Sequence, residues 1–158
     1  VTGDPIPDPT DPGTGPVSTR ALFAQWSACM TLENWEASQM ARWADKGTSE
    51  GPCVSCHNNG EHLLHTNNND TTMFLMNQYE LFIIGFFAAQ INPDGTGEII
   101  PAYDKLVRMG QGNNLGSLHP TYNTNLDNAH FLYLTDFYER TKALKDAGQC
   151  AAPGFPTP

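Results

Sequence analysis

The sequence predicts an all-α fold, and three observations carry that expectation. Apolar residues recur at helical spacing between Ser18 and Leu144, no stretch alternates apolar and polar residues as a half-buried strand would, and clusters of Pro, Gly and Asn punctuate the chain at helix-length intervals. A chain of 158 residues suits a single domain. Its 39% hydrophobic and 16% charged residues are enough to bury a core and too little charge for a disordered polymer.

The elements follow in order. Residues 1–17 carry Pro5, Pro7, Pro9, Pro12 and Pro16, so an extended, Pro-rich N-terminal arm or linker is expected there. Ser18 or Thr19 caps a helix bearing Leu22, Phe23 and Trp26. Thr31 starts a second, whose Leu32, Trp35, Met40 and Trp43 share a face and which Gly47 ends. Thr71 and Thr72 precede an apolar helix from about Met73 to Ile91, which contains the longest apolar run, Leu81 to Ala89. The turn Asn92-Pro93-Asp94-Gly95-Thr96-Gly97 stops it; with Glu98 it resembles half a calcium loop, and a plain turn is the simpler reading. Pro101 opens a helix that runs to Met109 and stops at Gly110. Thr124 and Asp127 approximate a capping box for a last helix with Leu134, Phe137, Thr141 and Leu144 on one face. The domain then spans 18–150, and 151–158 form a flexible tail. The three tryptophans are expected in the core.

Charge narrows the partners. Eight Lys and Arg against 17 Asp and Glu give a net charge of -9, which disfavours nucleic acid and anionic membranes and favours a partner with a basic surface. No apolar segment reaches the roughly 18 residues of a transmembrane span. No charged and apolar leader opens the chain, so either a mature form or a chain without its targeting signal is expected.

The strongest chemical signal is Cys53-Val54-Ser55-Cys56-His57. C-x-x-C-H is the attachment signature of c-type haem: two thiols spaced to reach the two vinyl groups, and an imidazole directly after them to bind iron. One haem c held by Cys53, Cys56 and His57 is the expectation. A thioredoxin-like pair lacks the βαβ flank it needs, and a zinc site recruiting His62 and His65 has too short a spacer for finger-like geometry.

From these residues onward the chain resembles class I c-type cytochromes, over roughly residues 18–150. His119-Pro120-Thr121-Tyr122, followed by Leu126-Asp127 and the last helix, is similar to that family's Met-Pro-x-Phe stretch, with His in the place of Met. The resemblance implies a cytochrome c-like helical domain in which an N-terminal helix crosses the C-terminal one. It also implies iron held by His57 and His119. The long aromatic N-terminal section and the loop Asn67-Asn68-Asn69-Asp70 depart from the family pattern. His119 lies in a loop made pliable by Gly110, Gly112 and Gly116. Met109 is the alternative sixth ligand; Met73, Met76, His62, His65 and His130 also compete, as does an open position.

Two imidazoles give a low-potential haem, because nitrogen favours ferric iron more than methionine sulfur does, while burial by Trp43, Phe82 and Phe86 pushes the other way. The function so implied is non-enzymatic electron transfer. Its rivals are a five-coordinate haem protein, whether gas sensor or peroxidase-like enzyme, and a subunit of an extracellular assembly that self-associates through the N-terminal arm. Haem attachment belongs to exported locations, periplasmic, cell-surface with or without a lipid anchor, or extracellular, where leftover thiols pair. Cys29 and Cys150 are therefore expected to form a disulfide, two separate buried thiols being the alternative.

Overall fold

The last helix, α7 (Ala129–Asp146), is the rod on which the rest of the chain packs. Asn128 caps its start, the Asn128 side chain accepting from the His130 amide, and Gly148, at φ 66°, ends it in the left-handed conformation that glycine adopts freely. Its inward stripe is Phe131, Leu134, Phe137 and Thr141, each 0% exposed. The computed structural model describes residues 17–114 and 117–156. The proline-rich arm, apart from Val17, and Gly116 thus fall outside the described residues.

The N-terminal helices are α1 (Thr19–Cys29), capped by Ser18, and α2 (Leu32–Ala37), capped by Thr31. The second does not run on to Gly47. Gln39 takes φ 58°, and the chain resumes as a 3-10 turn over Met40–Asp45, whose Met40 and Trp43 reach the core that Trp35 lines. Each tryptophan is a joint between these segments and the rest. Trp26 stacks on Tyr138 of α7 at 5.3 Å, Trp35 meets Phe74 and Phe137 edge-on, and Trp43 meets Phe86 and Phe131 edge-on. Such aromatic pairs add about 0.5–1.5 kcal/mol each beyond area burial. Cys29 is bonded to Cys150, tying the end of α1 to the chain just past α7. Residues 151–156 then run back along α1, Ala151 and Gly154 donating to the carbonyls of Ala28 and Ala24.

The all-α expectation is overturned by three two-stranded antiparallel hairpins: β1 (Gly47–Thr48) with β2 (Gly51–Pro52), β3 (Phe87–Ile91) with β4 (Gly97–Pro101), and β5 (Asn113–Asn114) with β6 (Ser117–Leu118). The fold is mixed. Three short α-helices precede or separate these pairs: α3 (Val54–His57), α4 (Asp70–Gln78) and α5 (Glu80–Ile83); α6 (Tyr103–Gly110) follows β4. The long helix expected from Met73 to Ile91 is really α4, α5 and β3. Asn69, not Thr71 or Thr72, caps α4 through its side chain, and Tyr79 is already extended at ψ 146°. Gly85 sits where a Cβ would meet Leu64 and the carbonyls of Leu63 and Phe82, so the helix ends against this close approach. Beyond it Phe87 pairs with Pro101 and Ile91 with Gly97. An apolar run reads alike on a buried helix and a buried strand, and here the pairing partner decided. Pro101 therefore ends a strand and does not open α6.

The turn between β3 and β4 is the plain turn expected. The Asn92 amide donates to Thr96 O at 2.7 Å, and Asp94 Oδ1 accepts from the Thr96 amide and hydroxyl. Capping of α7 by Asn128 also corrects the capping box placed at Thr124 and Asp127.

Candidate cofactor site

Lys46 closes the 3-10 turn and leads into β1, and the β1–β2 hairpin delivers the chain to Cys53. The Cys53 amide donates to Lys46 O at 3.0 Å, and the Cys53 carbonyl accepts from the amides of Cys56 and His57, so one short helical turn carries both thiols and the imidazole. Cys53 and Cys56 are both free thiols, the first buried and the second exposed. Burial pushes the Cys53 thiol up to about 11, against a smaller opposing pull from the Lys46 ammonium.

His57 is 7% exposed, and its Nδ1 lies 2.8 Å from Glu61 O. A carbonyl only accepts, so Nδ1–H donates and the lone pair is on Nε2. Burial, ahead of the opposing bond to Glu61, holds this imidazole below its ordinary range and so favours the neutral form that binds metal. Gly60, at φ 78°, makes the loop possible: a Cβ there would stand 2.4 Å from the Phe82 ring. The Gly60 and Thr66 amides both donate to His57 O, fixing the backbone on the far side.

His119 arrives from the other end of the sequence. The segment after β6 is bonded to the β1–β2 hairpin, the Ser49 amide donating to Thr121 O at 2.8 Å and the Thr121 amide to Ser49 Oγ at 3.0 Å. The Tyr122 amide donates to Gly110 O, and the Tyr122 hydroxyl to Leu106 O, which anchors the same segment to α6. Gly110 packs so closely on Tyr122 and Thr124 that a Cβ would come within 2.4 Å of Thr124. Within this frame His119 Nδ1 lies 2.7 Å from Pro120 O, so its Nε2 is free as well. The rings of His57 and His119 are 6.3 Å apart between centroids, with planes 28° from parallel.

That spacing can be tested against a haem iron. Two metal–imidazole bonds of about 2 Å, plus about 1.1 Å from each ring centre to its nitrogen, would put two imidazoles sharing one metal ion roughly 6.3 Å apart between ring centres. The observed 6.3 Å between ring centres is of that size, and Cys53 and Cys56 adjoin His57 in sequence.

The other candidates lie differently. The His62 ring is 6.4 Å from that of His57 but at 76°, on an exposed residue with φ 56°, and among the described residues no hydrogen bond orients it. His65 is 4% exposed against Phe82, turned into the protein, so the zinc alternative with His62 and His65 is not assembled. Among the described residues no group of three or more His, Cys, Asp or Glu is placed to hold a bare metal ion. Met73 is in the core; Met76 and Met109 are half-buried at the ends of α4 and α6. His130, on α7, packs on Trp43 and Tyr133 and shares the Asn128 oxygen.

Two contributors escaped the sequence reading. Ser49 has no local signal, since its partner is distant along the chain. Lys46 is 2% exposed, with no sequence hint beyond Trp43 three residues earlier. No helix among the described residues is long and apolar enough to cross a membrane. Comparisons with protein families, with curated proteins and with solved structures found no match to this chain.

Proposed function

We propose that the chain is a monohaem c-type cytochrome that carries one electron at a time, with His57 and His119 as axial ligands. The observation that carries this reading is the pair of imidazoles 6.3 Å apart, each with Nδ1 committed to a backbone carbonyl, beside two free thiols at C-x-x-C-H spacing. A bound haem c supplies a reversible ferric–ferrous couple. Everything else is the work of the chain. Cys53 and Cys56, both free thiols, would hold the group through thioethers formed by adding each S–H across a vinyl group, which releases nothing and requires both cysteines reduced. The Nδ1–H bonds of His57 and His119 hold ring orientation and raise ligand basicity. Cys56 stands in solvent while Cys53 is buried, so a group tethered to both has one accessible side.

Two imidazoles leave no open coordination position, which favours a carrier over an enzyme or gas sensor. The net charge of -9 suits transient docking to a redox partner with a basic surface. The Cys29–Cys150 disulfide and the thioether chemistry together support an exported location.

The test is an absorption and EPR spectrum of the purified protein in both redox states. A low-spin ferric signal without the methionine-to-iron charge-transfer band is expected, and His119→Ala should become high-spin and bind carbon monoxide rapidly when reduced. A colourless wild-type protein of bare-chain mass after export would reject the haem. A His119→Ala spectrum identical to wild type would reject His119 as ligand and pass the role to His62 or Met109.

A further inference from the structure

The Lys46 side chain is sunk into the protein beside the proposed haem site and has no carboxylate partner among the described residues. Its Nζ lies over three aromatic rings, at 5.6 Å from Trp43, 5.0 Å from Tyr122 and 5.5 Å from Phe131. Its one hydrogen bond goes to Asn128 Oδ1 at 3.2 Å. Among the described residues the ion pairs are Arg20–Glu80, Arg140–Asp136 and Lys142–Asp146, and Lys46 enters none of them. Burying a cation without a counter-ion is costly, and a methionine or leucine would fill such an aromatic cage without that cost. The ring faces and the Asn128 oxygen compensate in part, since an ammonium over aromatic faces is favoured by their negative quadrupoles.

Position gives the charge a consequence. Lys46 O accepts the Cys53 amide, and the Tyr122 ring that lies under Nζ also meets the His119 ring edge-on at 6.1 Å, so the ammonium is within about 11 Å of the His119 ring centre. A fixed unit charge at that distance, in a medium of effective dielectric constant about 20, biases a one-charge change by roughly tenfold.

We propose that Lys46 is an internal fixed cation that raises the reduction potential of the haem held between His57 and His119, by opposing the extra positive charge of ferric iron. Taking up one electron from an external donor then removes a repulsion, with no bond made or broken. The cage thus partly offsets the lowering that two imidazole ligands cause. This proposal rests on the haem reading above.

The experiment is a redox titration of the holoprotein, wild type against Lys46→Met, Lys46→Arg and Asn128→Asp, with optical spectra recorded throughout. Lys46→Met should shift the ferric–ferrous equilibrium toward ferric by roughly tenfold, which for one electron is about 59 mV lower in potential, with an unchanged low-spin spectrum. Lys46→Arg should stay near wild type. Asn128→Asp is nearly isosteric, keeps a good helix cap and places a carboxylate beside the ammonium; it should lower the potential as Lys46→Met does, and it decides the matter if Lys46→Met does not accumulate. Lys142→Met, which removes an exposed charge, should leave the potential unchanged. Wild-type potentials in Lys46→Met and Asn128→Asp with intact spectra would overturn the role of Lys46 and leave the haem reading standing. A wild-type protein with no haem spectrum would instead overturn the haem reading.

Discussion

Ser49 and Thr121 exchange two hydrogen bonds, the Ser49 amide to Thr121 O at 2.8 Å and the Thr121 amide to Ser49 Oγ at 3.0 Å, and these bonds hold the two ends of the proposed iron site together. Ser49 lies in the hairpin that leads to Cys53; Thr121 follows His119 by two residues. Truncating Ser49 to Ala removes only the second bond and leaves the Thr121 amide to solvent. The expected cost is about 0.5–1.5 kcal/mol in urea denaturation. The more telling readout is ligand binding. A looser His119 should dissociate from iron more often, so reduced Ser49→Ala should bind carbon monoxide measurably faster than wild type. Equal rates would mean that Tyr122 and Gly110 alone position the loop.

Gly60 tests the proximal side. Its φ of 78° is open to glycine at no steric cost, and a Cβ there would stand 2.4 Å from Phe82. Gly60→Ala should therefore destabilise the fold by about 1–3 kcal/mol, and the displacement should pass to the Glu61 carbonyl that orients His57. We expect a lower urea midpoint together with a broadened low-spin EPR signal. A stability within error of wild type would show that Phe82 yields freely and that the loop does not rely on glycine.

Much of the fold was legible in the sequence where local chemistry decided it. Ser18 and Thr31 cap α1 and α2 as their positions suggest, and Trp26, Trp35 and Trp43 are core residues as expected of large aromatics, although they lie on three separate segments. Legibility failed where a distant partner decided. Phe87 to Ile91 carries no alternation, and its partner strand begins with Gly97 and ends with Pro101, two residues that mask a strand from any pattern reading. The two-residue strands β1 and β2 are too short to have a pattern at all. At α7, Thr124 and Asp127 suggested a capping box, but the chain remains irregular until Asn128, whose side chain caps the helix. The C-x-x-C-H spacing needed no structure to be seen, because its information lies in five consecutive residues. The burial of Lys46 needed all of it, since Trp43, Tyr122 and Phe131 come from three separate segments.

The Cys29–Cys150 bridge closes a span of 121 residues, so most of the chain lies within its loop. In the chain-entropy account such a loop stabilises the native state by about 4–5 kcal/mol. It also holds residues 151–156 on α1, where Arg20 lies over the Phe155 ring at 5.5 Å. The Cys29→Ser/Cys150→Ser variant should lose about 2–5 kcal/mol in urea denaturation while its haem spectrum stays unchanged, because neither sulfur is near His57 or His119 in the chain's bonding. A stability equal to wild type would mean that the unfolded chain does not gain the entropy that opening this loop should release.

Acid should weaken the haem-free fold in a window set by three histidines. Burial is the leading cause holding His57, His65 and His130 below their ordinary range, and it outweighs the backbone hydrogen bonds that act the other way. For each, the folded value lies below the unfolded one, so on acidification the unfolded chain binds the proton first, from about pH 6.5 downward. Stability from these groups is therefore complete above that pH and is lost as the pH falls through the folded values. Asp94 and Asp146, both also lowered, act in the same sense only at more acid pH, below about 4. The measurement is urea denaturation of Cys53→Ser/Cys56→Ser, which cannot attach haem covalently, at pH 7.5, 6.5 and 5.5. The unfolding free energy should fall slightly between the first two, where the unfolded imidazoles become half protonated, and more steeply between the last two, and adding His65→Asn should make that fall smaller by removing one titrating ring. A profile flat to pH 5.5 would mean that these imidazoles meet water in the Cys53→Ser/Cys56→Ser variant and that burial does not hold them neutral there.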